Sequence, residues 1–237
     1  MNSEQKKQAV DTAMSPDDRV SVSPAVIRRL PRYFRYLREL IRQGKMRISS
    51  GELSAMMHVT ASQIRQDLNC FGGFGQQGYG YNVNYLYARI CDLLGVGAGI
   101  RAVLIGSGDL GRALVRAPMF EKRGVDIIAM FDVSPTQIGR EVAGIMVRDM
   151  SQLEQFCREA RVDMAVLTLP KECVEEEVQR LLRCGVRGFW NFTGKELAFD
   201  DDSVVVENVH LGDSLMILNY QLCQNKLQNN NRLSREE

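Results

Sequence analysis

The chain has 237 residues, 45% hydrophobic and 25% charged, an ordinary globular composition long enough for one or two domains with proper cores. No apolar run approaches the roughly 18 residues of a membrane span. The N-terminal MNSEQKKQAVDTAMSPDD lacks the apolar core of a secretory signal, so the chain is read as cytoplasmic and not membrane-bound.

The six cysteines (Cys70, Cys91, Cys157, Cys173, Cys184 and Cys223) form no CxxC pair, and only two histidines accompany them. A metal site is therefore not expected, and the thiols read as buried and reduced. The net charge of +1 is unevenly spread: residues 21–89 carry +7, residues 1–20 carry −1 and residues 90–237 carry −5. A basic module joined to a mildly acidic one implies that only the first meets a polyanion.

Residues 1–22 lack periodicity and read as a flexible tail. Ser23-Pro24 opens a helix, with Pro31 as a second possible start. Ile27, Leu30, Phe34, Leu37 and Ile41 form its core-facing stripe. Arg28, Arg29, Arg32, Arg35, Arg38 and Arg42 cover much of the remaining surface against a single acid, Glu39. Gly44 ends the helix. Ser49 to Glu52 is a capping box opening a short helix with Leu53, Met56 and Met57 inward.

After a turn at His58-Val59, Thr60 to Gln63 repeats the capping pattern and opens a helix with Ile64 and Leu68 inward. Two short helices across a turn make a helix-turn-helix, whose second helix enters the DNA major groove. Ser62, Gln63, Arg65 and Gln66 lie where base edges are met; Gln suits adenine and Arg suits guanine. Arg29, Arg32 and Arg35 complete the basic face. The glycine- and aromatic-rich stretch Phe71 to Tyr81 reads as a β-hairpin wing. Its aromatics are expected chiefly to pack, with Gln77 and Tyr79 as DNA contacts. Asn84 to Leu94 is helical, and Gly95-Val-Gly-Ala-Gly99 is a linker. A winged-helix domain over 23–95 and a second domain over 100–210 follow.

The second domain begins with RAVLIGSGDLGRALVRAPMFEKRGVDIIAMFD, residues 101–132. It reads strand, glycine turn, helix, strand, acid, which is the order of the dinucleotide-binding fingerprint. Gly106 permits the tight turn, Gly108 lets a pyrophosphate approach, and Gly111 lets the helix pack on its strand. Ser107, Asp109 and Leu110 complete the turn, and the helix N-terminus attracts phosphates. Asp109 sets a carboxylate beside them. Asp132 stands where an acid accepts from a ribose 2′-OH.

Beyond it, a helix is expected at Ser134-Pro135 and a strand over Val142 to Val147. A helix over Gln152 to Arg161, a strand over Met164 to Leu169 and a helix over Glu172 to Cys184 follow. Strands close the domain over Phe189 to Phe192 and Val204 to Val209. This alternation implies an α/β fold, a doubly wound parallel sheet of the Rossmann type. A last helix over 211–227 carries Leu215, Leu218 and Leu222 on an apolar stripe that would be poorly buried in a monomer, so a homodimer is expected. The polar residues after it are expected to fray.

RLPRYFRYLREL, ISSGELSAMMHVTASQIRQDL, FGGFGQQGYGYNV, GSGDLGRAL, FDVSPTQIG and GVRGFWNF occur in the order in which they stand in the bacterial redox-sensing transcriptional repressors called Rex. Over about residues 23–225 the chain resembles that family. The resemblance implies a winged-helix domain, a Rossmann domain and a homodimer exchanging its C-terminal helix. It also implies a repressor that binds a palindromic operator with NAD⁺ or no ligand and leaves it when NADH binds.

The sequence departs from the family at Asp109, at Gln66, at Gln76 and Gln77, and at Ala117, His210 and Leu211. Ala117 and His210 stand about where a Tyr and an Asp that couple Arg35 to the nicotinamide state occur in some members, and Leu211 stands where an aromatic caps the nicotinamide. Two other readings stand beside it: the same DNA role with a CoA-type nucleotide or none, and an NAD-dependent oxidoreductase. For the oxidoreductase only His210 and Lys195 offer acid–base groups, and neither has spaced partners, so no catalytic residues are assigned.

Overall fold

The computed structural model describes residues 22–70, 75–76 and 79–236. The tail expected over 1–22 lies outside these residues except for its last position, and Phe71, Phe74 and Gln77 of the wing also lie outside. The chain divides into two compact units between Gly95 and Val96.

The first unit contains α1 (Pro24–Ile27), α2 (Leu30–Arg42), β1 (Arg47–Ile48), α3 (Ser50–Met57), α4 (Ala61–Asn69), β2 (Gly75–Gln76), β3 (Gly80–Asn82) and α5 (Val83–Leu93). The stretch expected as one helix is two. The Pro31 ring collides with the carbonyl four residues back in a continuous helix, and that residue is Ile27, where α1 ends. The break shifts the buried stripe to Leu30, Tyr33, Phe34, Leu37 and Leu40, leaving Ile27 exposed.

Ile48, Leu53, Met57, Ile64, Leu68, Leu86 and Ile90 of the same unit are fully buried as well, and the rings of Phe34 and Tyr87 stack at 5.3 Å. The strands pair antiparallel in the order β1-β3-β2, which is the expected wing. Gly80 is required there: its φ is +68°, and a Cβ would meet the Ile48 carbonyl oxygen at 2.6 Å.

The second unit contains β4 (Ile100–Ile105), α6 (Asp109–Arg116), β5 (Val125–Asp132), β6 (Glu141–Val142), β7 (Ile145–Asp149), α7 (Leu153–Ala160), β8 (Met164–Leu167), α8 (Val174–Arg183), β9 (Gly188–Asn191), β10 (Val205–Asn208) and α9 (Leu211–Glu236). Its sheet runs β10-β9-β8-β4-β5-β7-β6. All neighbours are parallel except the β6–β7 edge.

Strand order therefore reverses between β4 and β8, the doubly wound Rossmann topology with its switch point there. Period-two alternation divides the strands between two cores. Val103, Ile105, Phe131 and Leu167 face α7 and α8, whereas Leu104, Met130 and Val166 face the side of α6.

Three local expectations are corrected. Residues 134–138 form turns, not a helix, with the Ser134 carbonyl accepting from the amides of Gln137 and Ile138. The strand expected over Val142 to Val147 is the tight β6–β7 hairpin, because Ala143 and Gly144 both adopt positive φ (50° and 83°). The last helix runs on to Glu236 rather than fraying after Leu227.

Candidate functional site

Two regions collect the residues singled out above, one in each unit.

In the first unit, Ser49 caps α3 with the full reciprocal box to Glu52, and His58 ends the helix in the left-handed region at φ 52°. Thr60 caps α4 by accepting from the Gln63 amide at 3.1 Å. The reciprocal half of this second box is missing, because the Gln63 side chain turns instead to Asp67 at 2.9 Å. Asp67 is fully buried and is the organising group of this helix. Arg29 grips it with two 2.7 Å bonds from Nε and Nη2, and the Tyr33 hydroxyl donates at 2.9 Å.

Burial by itself would raise the Asp67 carboxyl; Arg29, Gln63 and Tyr33 outweigh it and hold the group below the usual carboxylate range. The Tyr33 hydroxyl is pushed up, by burial first and then by Asp67.

Of the expected DNA contacts, then, Arg29 and Gln63 have their polar ends on Asp67. Arg32 donates to the Met57 carbonyl at the end of α3. A buried carboxylate must be paired, and the nearest donors meet that need. Ser62, Arg65 and Gln66 remain exposed on the outward face of α4, and Arg65 reaches Ser50 Oγ at 3.3 Å. Asn69 shares that face, as its spacing of three and four residues from Gln66 and Arg65 would have indicated. Arg35 is exposed. Tyr79 is exposed on the wing, its ring 5.7 Å from the Arg47 guanidinium carbon.

In the second unit, the glycine turn has the geometry its spacing implies. Gly106 has φ +95°, and a Cβ there would meet the Thr168 carbonyl oxygen at 2.7 Å. A Cβ on Gly111 would come within 2.9 Å of both Leu104 Cδ2 and Thr168 Oγ1, so α6 lies directly on its strand. Around Gly108 a Cβ would find nothing within 4 Å, which leaves room for a ligand to approach the backbone. Gly108 is the N-cap of α6, whose first amides lack partners within the helix.

Asp132 closes β5 and accepts from the Ser107 amide and hydroxyl, both at 2.6 Å, and from the Ser134 amide at 2.8 Å. Burial pushes its carboxyl upward, but the Ser107 hydroxyl and the Ser134, Ser107 and Val133 amides more than reverse this. Asp109 is fully exposed and paired with Arg112 at 2.5 Å. Arg112 also donates to the Ser107 carbonyl at 2.8 Å. The negative charge that Asp109 brings to the turn thus arrives with a cation, a pairing that the three-residue spacing on α6 would have indicated.

A crevice of about 450 Å³ opens at the switch point, lined by Ile105, Gly106, Gly108, Phe131, Asp132 and Val133 on one side and by Met150, Thr168, Leu169, Pro170, Cys173 and Glu177 on the other. Doubly wound sheets bind nucleotides at this place. The glycine cradle, the open space at Gly108 and the acid at the rim fit a dinucleotide.

Among the residues expected to matter at the nicotinamide end, Ala117 caps α6 at its C-terminus. His210 pairs with Glu196 at 2.8 Å, and Leu211 is exposed at the start of α9. Lys195 pairs with Glu175 at 2.7 Å, so His210 and Lys195 are each engaged by a different glutamate. Among the described residues no group of three or more His, Cys, Asp or Glu side chains is arranged to hold a metal. Of the cysteines expected to be buried only Cys157 is so, with its thiol pushed up to about 12 chiefly by burial, whereas Cys173 and Cys223 are exposed.

Comparison with known proteins gives the following. Residues 21–69 match the family described as "Putative DNA-binding protein N-terminus", and residues 99–194 match the family described as a CoA binding domain. The redox-sensing transcriptional repressor Rex of Caldicellulosiruptor saccharolyticus is 46% identical over 88% of this chain and 94% of its own length. That of Clostridium botulinum (strain Eklund 17B) is 47% identical over 89% of this chain and all of its own. A solved structure of RSP in complex with β-NAD⁺ and operator DNA superposes with a TM-score of 0.81 at 45% identity, covering 89% of this chain and 97% of that one. A structure of RSP with β-NADH gives the same TM-score at 42% identity, covering 89% of this chain and 98% of that one.

Proposed function

The chain belongs to the Rex family of redox-sensing transcriptional repressors, and on that footing we propose how its two units carry the role. The observation that carries the reading is the switch-point crevice, with Gly106, Gly108 and Gly111 at one end and Asp132 at its rim, in the same chain as a helix-turn-helix.

NAD(H) lies with its diphosphate over Gly106 to Gly111 and the N-terminus of α6, where amides and the helix dipole favour anions. A ribose 2′-OH donates to Asp132. The same carboxylate repels the 2′-phosphate of NADP(H) and the 3′-phosphate of CoA, so it argues against the CoA-type ligand that the second family match would suggest. Ser62, Arg65 and Gln66 read base edges from α4, and the arginines of α2 with Tyr79 and Gln77 of the wing meet the backbone. Asp67, Arg29 and Gln63 hold α4 in place for this.

The protein acts as a homodimer on a palindromic operator. The exposed Leu211, Leu215, Met216, Ile217, Leu218, Tyr220 and Leu222 of α9 support this, because so large an apolar surface on one helix calls for a partner. Its place of action is the cytoplasm; no helix among the described residues is long and apolar enough to cross a membrane.

NADH binding releases the operator. Release depends on the difference in nucleotide affinity between the two states. Because His210 is held by Glu196 and position 117 is alanine, the contrast between NADH and NAD⁺ is smaller here than in members that keep the coupling residues. The test is operator release followed by fluorescence anisotropy while NADH, NAD⁺, NADPH and CoA are titrated. Release by NADH first, NAD⁺ later and the two phosphorylated nucleotides last is the expected order. Release by CoA ahead of NADH would sink the reading.

A further inference from the structure

The crevice holds one carboxylate that neither the glycine turn nor the ribose acid explains. Glu177 lies four residues after Cys173, the N-cap of α8, so both occupy the helix face that lines the crevice with Asp132 and Val133. The other walls nearby, Phe131, Met150, Leu169 and Pro170, are apolar.

The Glu177 side chain is only 13% exposed. Its two oxygens share a single donor, Arg180 Nη1, at 3.1 and 2.8 Å. Arg180 is held independently, through Nε and Nη2, by Glu154 at 2.6 and 2.8 Å. An ionised carboxylate has about four acceptor positions, so Glu177 keeps acceptor capacity beyond its bonds to Arg180. Burial raises the Glu177 carboxyl above its ordinary value against the pull of Arg180, as expected of a carboxylate short of donors.

Order along the crevice determines what arrives there. With the diphosphate at the glycine turn and the ribose at Asp132, the purine lies beyond, between the loops that follow β5 and β8. Its faces meet the apolar walls and its edge meets α8. At the six position adenine presents an amino donor, whereas hypoxanthine and guanine present an oxygen acceptor.

We infer that Glu177 selects adenine over 6-oxopurines by accepting a hydrogen bond from the adenine amino group. This rests on the reading of the crevice as the NAD(H) site. A carboxylate set at the six position meets an oxygen acceptor in a 6-oxopurine and is repelled there, pairing again only if it shifts to the neighbouring ring N–H, so discrimination comes from rejection as much as from attraction.

The full-length protein is titrated with NADH and with reduced nicotinamide hypoxanthine dinucleotide, which carries an oxygen in place of the amino group at the six position and an N–H in place of the acceptor nitrogen beside it. Binding of NADH about tenfold tighter is expected, the scale of one hydrogen bond to a charged group. In Glu177→Ala the preference falls to about twofold or less. Glu177→Gln, which retains the shape, loses it too, because an amide can either accept or donate. Equal binding of the two nucleotides by the unaltered protein, or a tenfold preference that survives in Glu177→Ala, overturns the inference.

The crevice reading is checked separately by alkylation of Cys173 with iodoacetamide, read on its own peptide by mass spectrometry. Protection by both nucleotides supports the location. Undiminished labelling under saturating NADH overturns the location itself, and with it the role of Glu177.

Discussion

Asp67 and Asp132 are the same residue type under similar opposing forces, and the protein uses them in different ways. Each is penalised by burial and more than compensated by hydrogen bonds. Asp67 is sealed inside the first unit, its donors arriving from α2 and α4 as side chains, one of them a cation. Asp132 stands half-buried at the rim of the crevice, its donors the amide and hydroxyl of Ser107 in the glycine turn and the amide of Ser134 just after it. A carboxylate sealed among side chains, two of them brought from far along the chain, can only hold those elements together. One held from behind by the glycine turn of the neighbouring strand and by the residue two positions on stays in position yet faces a cavity, where a ligand hydroxyl can reach it.

The sharpest way to break the comparison is to remove both carboxylates in turn. Asp67→Ala leaves the Arg29 guanidinium, Tyr33 hydroxyl and Gln63 amide without their acceptor, and a broken buried pair costs about 3 kcal/mol. Urea unfolding should show that loss in the first unit, with operator affinity falling alongside it. A loss below about 0.5 kcal/mol, the scale of an ordinary surface change, would show that the cluster is not an organiser.

Gly111→Ala comes next. Its Cβ would meet Leu104 and Thr168 at 2.9 Å, and overpacking of this kind costs about 2 kcal/mol. Calorimetric unfolding of the second unit should register it, and NADH affinity should drop because the turn shifts with α6. For Asp132→Asn, which keeps one acceptor for Ser107, the expected change lies in binding rather than folding. The preference for NADH over NADPH should shrink about tenfold, since the charge that repels a 2′-phosphate is gone. A preserved preference in competitive titration would move the selecting group elsewhere.

Arg65→Ala should weaken specific operator binding by about 1 kcal/mol, the lower end for a lost base contact. Mobility-shift titration against operator and random DNA separates base reading from backbone attraction: equal losses on both would assign Arg65 to phosphate.

The smallest effect is in acid. A carboxyl whose folded value is depressed contributes stability that is complete above its ordinary value of 3.8 and is lost as pH falls through the lower folded value. The first unit should therefore weaken below about pH 4, and Asp67→Asn should follow a flatter acid limb in thermal melts. Parallel limbs would mean that Asp67 titrates alike in the folded and unfolded chain.

Much of this was legible beforehand wherever it depended on near neighbours. The helix-turn-helix showed in the capping residues Ser49 and Thr60 and in the apolar pairs behind them. The three glycines and Asp132 announced the Rossmann turn, and Gly106 and Gly111 meet in the structure the steric constraints their positions implied. Local reading failed where two local signals competed. Ser134-Pro135 looked like a helix start, yet the chain turns there to reach β6. Val142 to Val147 looked like one strand, yet Ala143 and Gly144 reverse it. Gln63 looked like the back half of a capping box, yet Asp67 takes its side chain.

The sequence by itself determined the order of elements, the two-unit division, the anion-binding turn and the basic character of the first unit. These follow from periodicity, backbone freedom and charge over a few residues. Only the tertiary structure decided which side chains are available. Arg29 meets Asp67 across 38 positions, Ser107 meets Asp132 across 25, and Arg180 meets Glu154 across 26. Nothing in a local pattern says which donor satisfies which buried acceptor. That choice waits for packing to exclude water, after which the closest donors must take water's place.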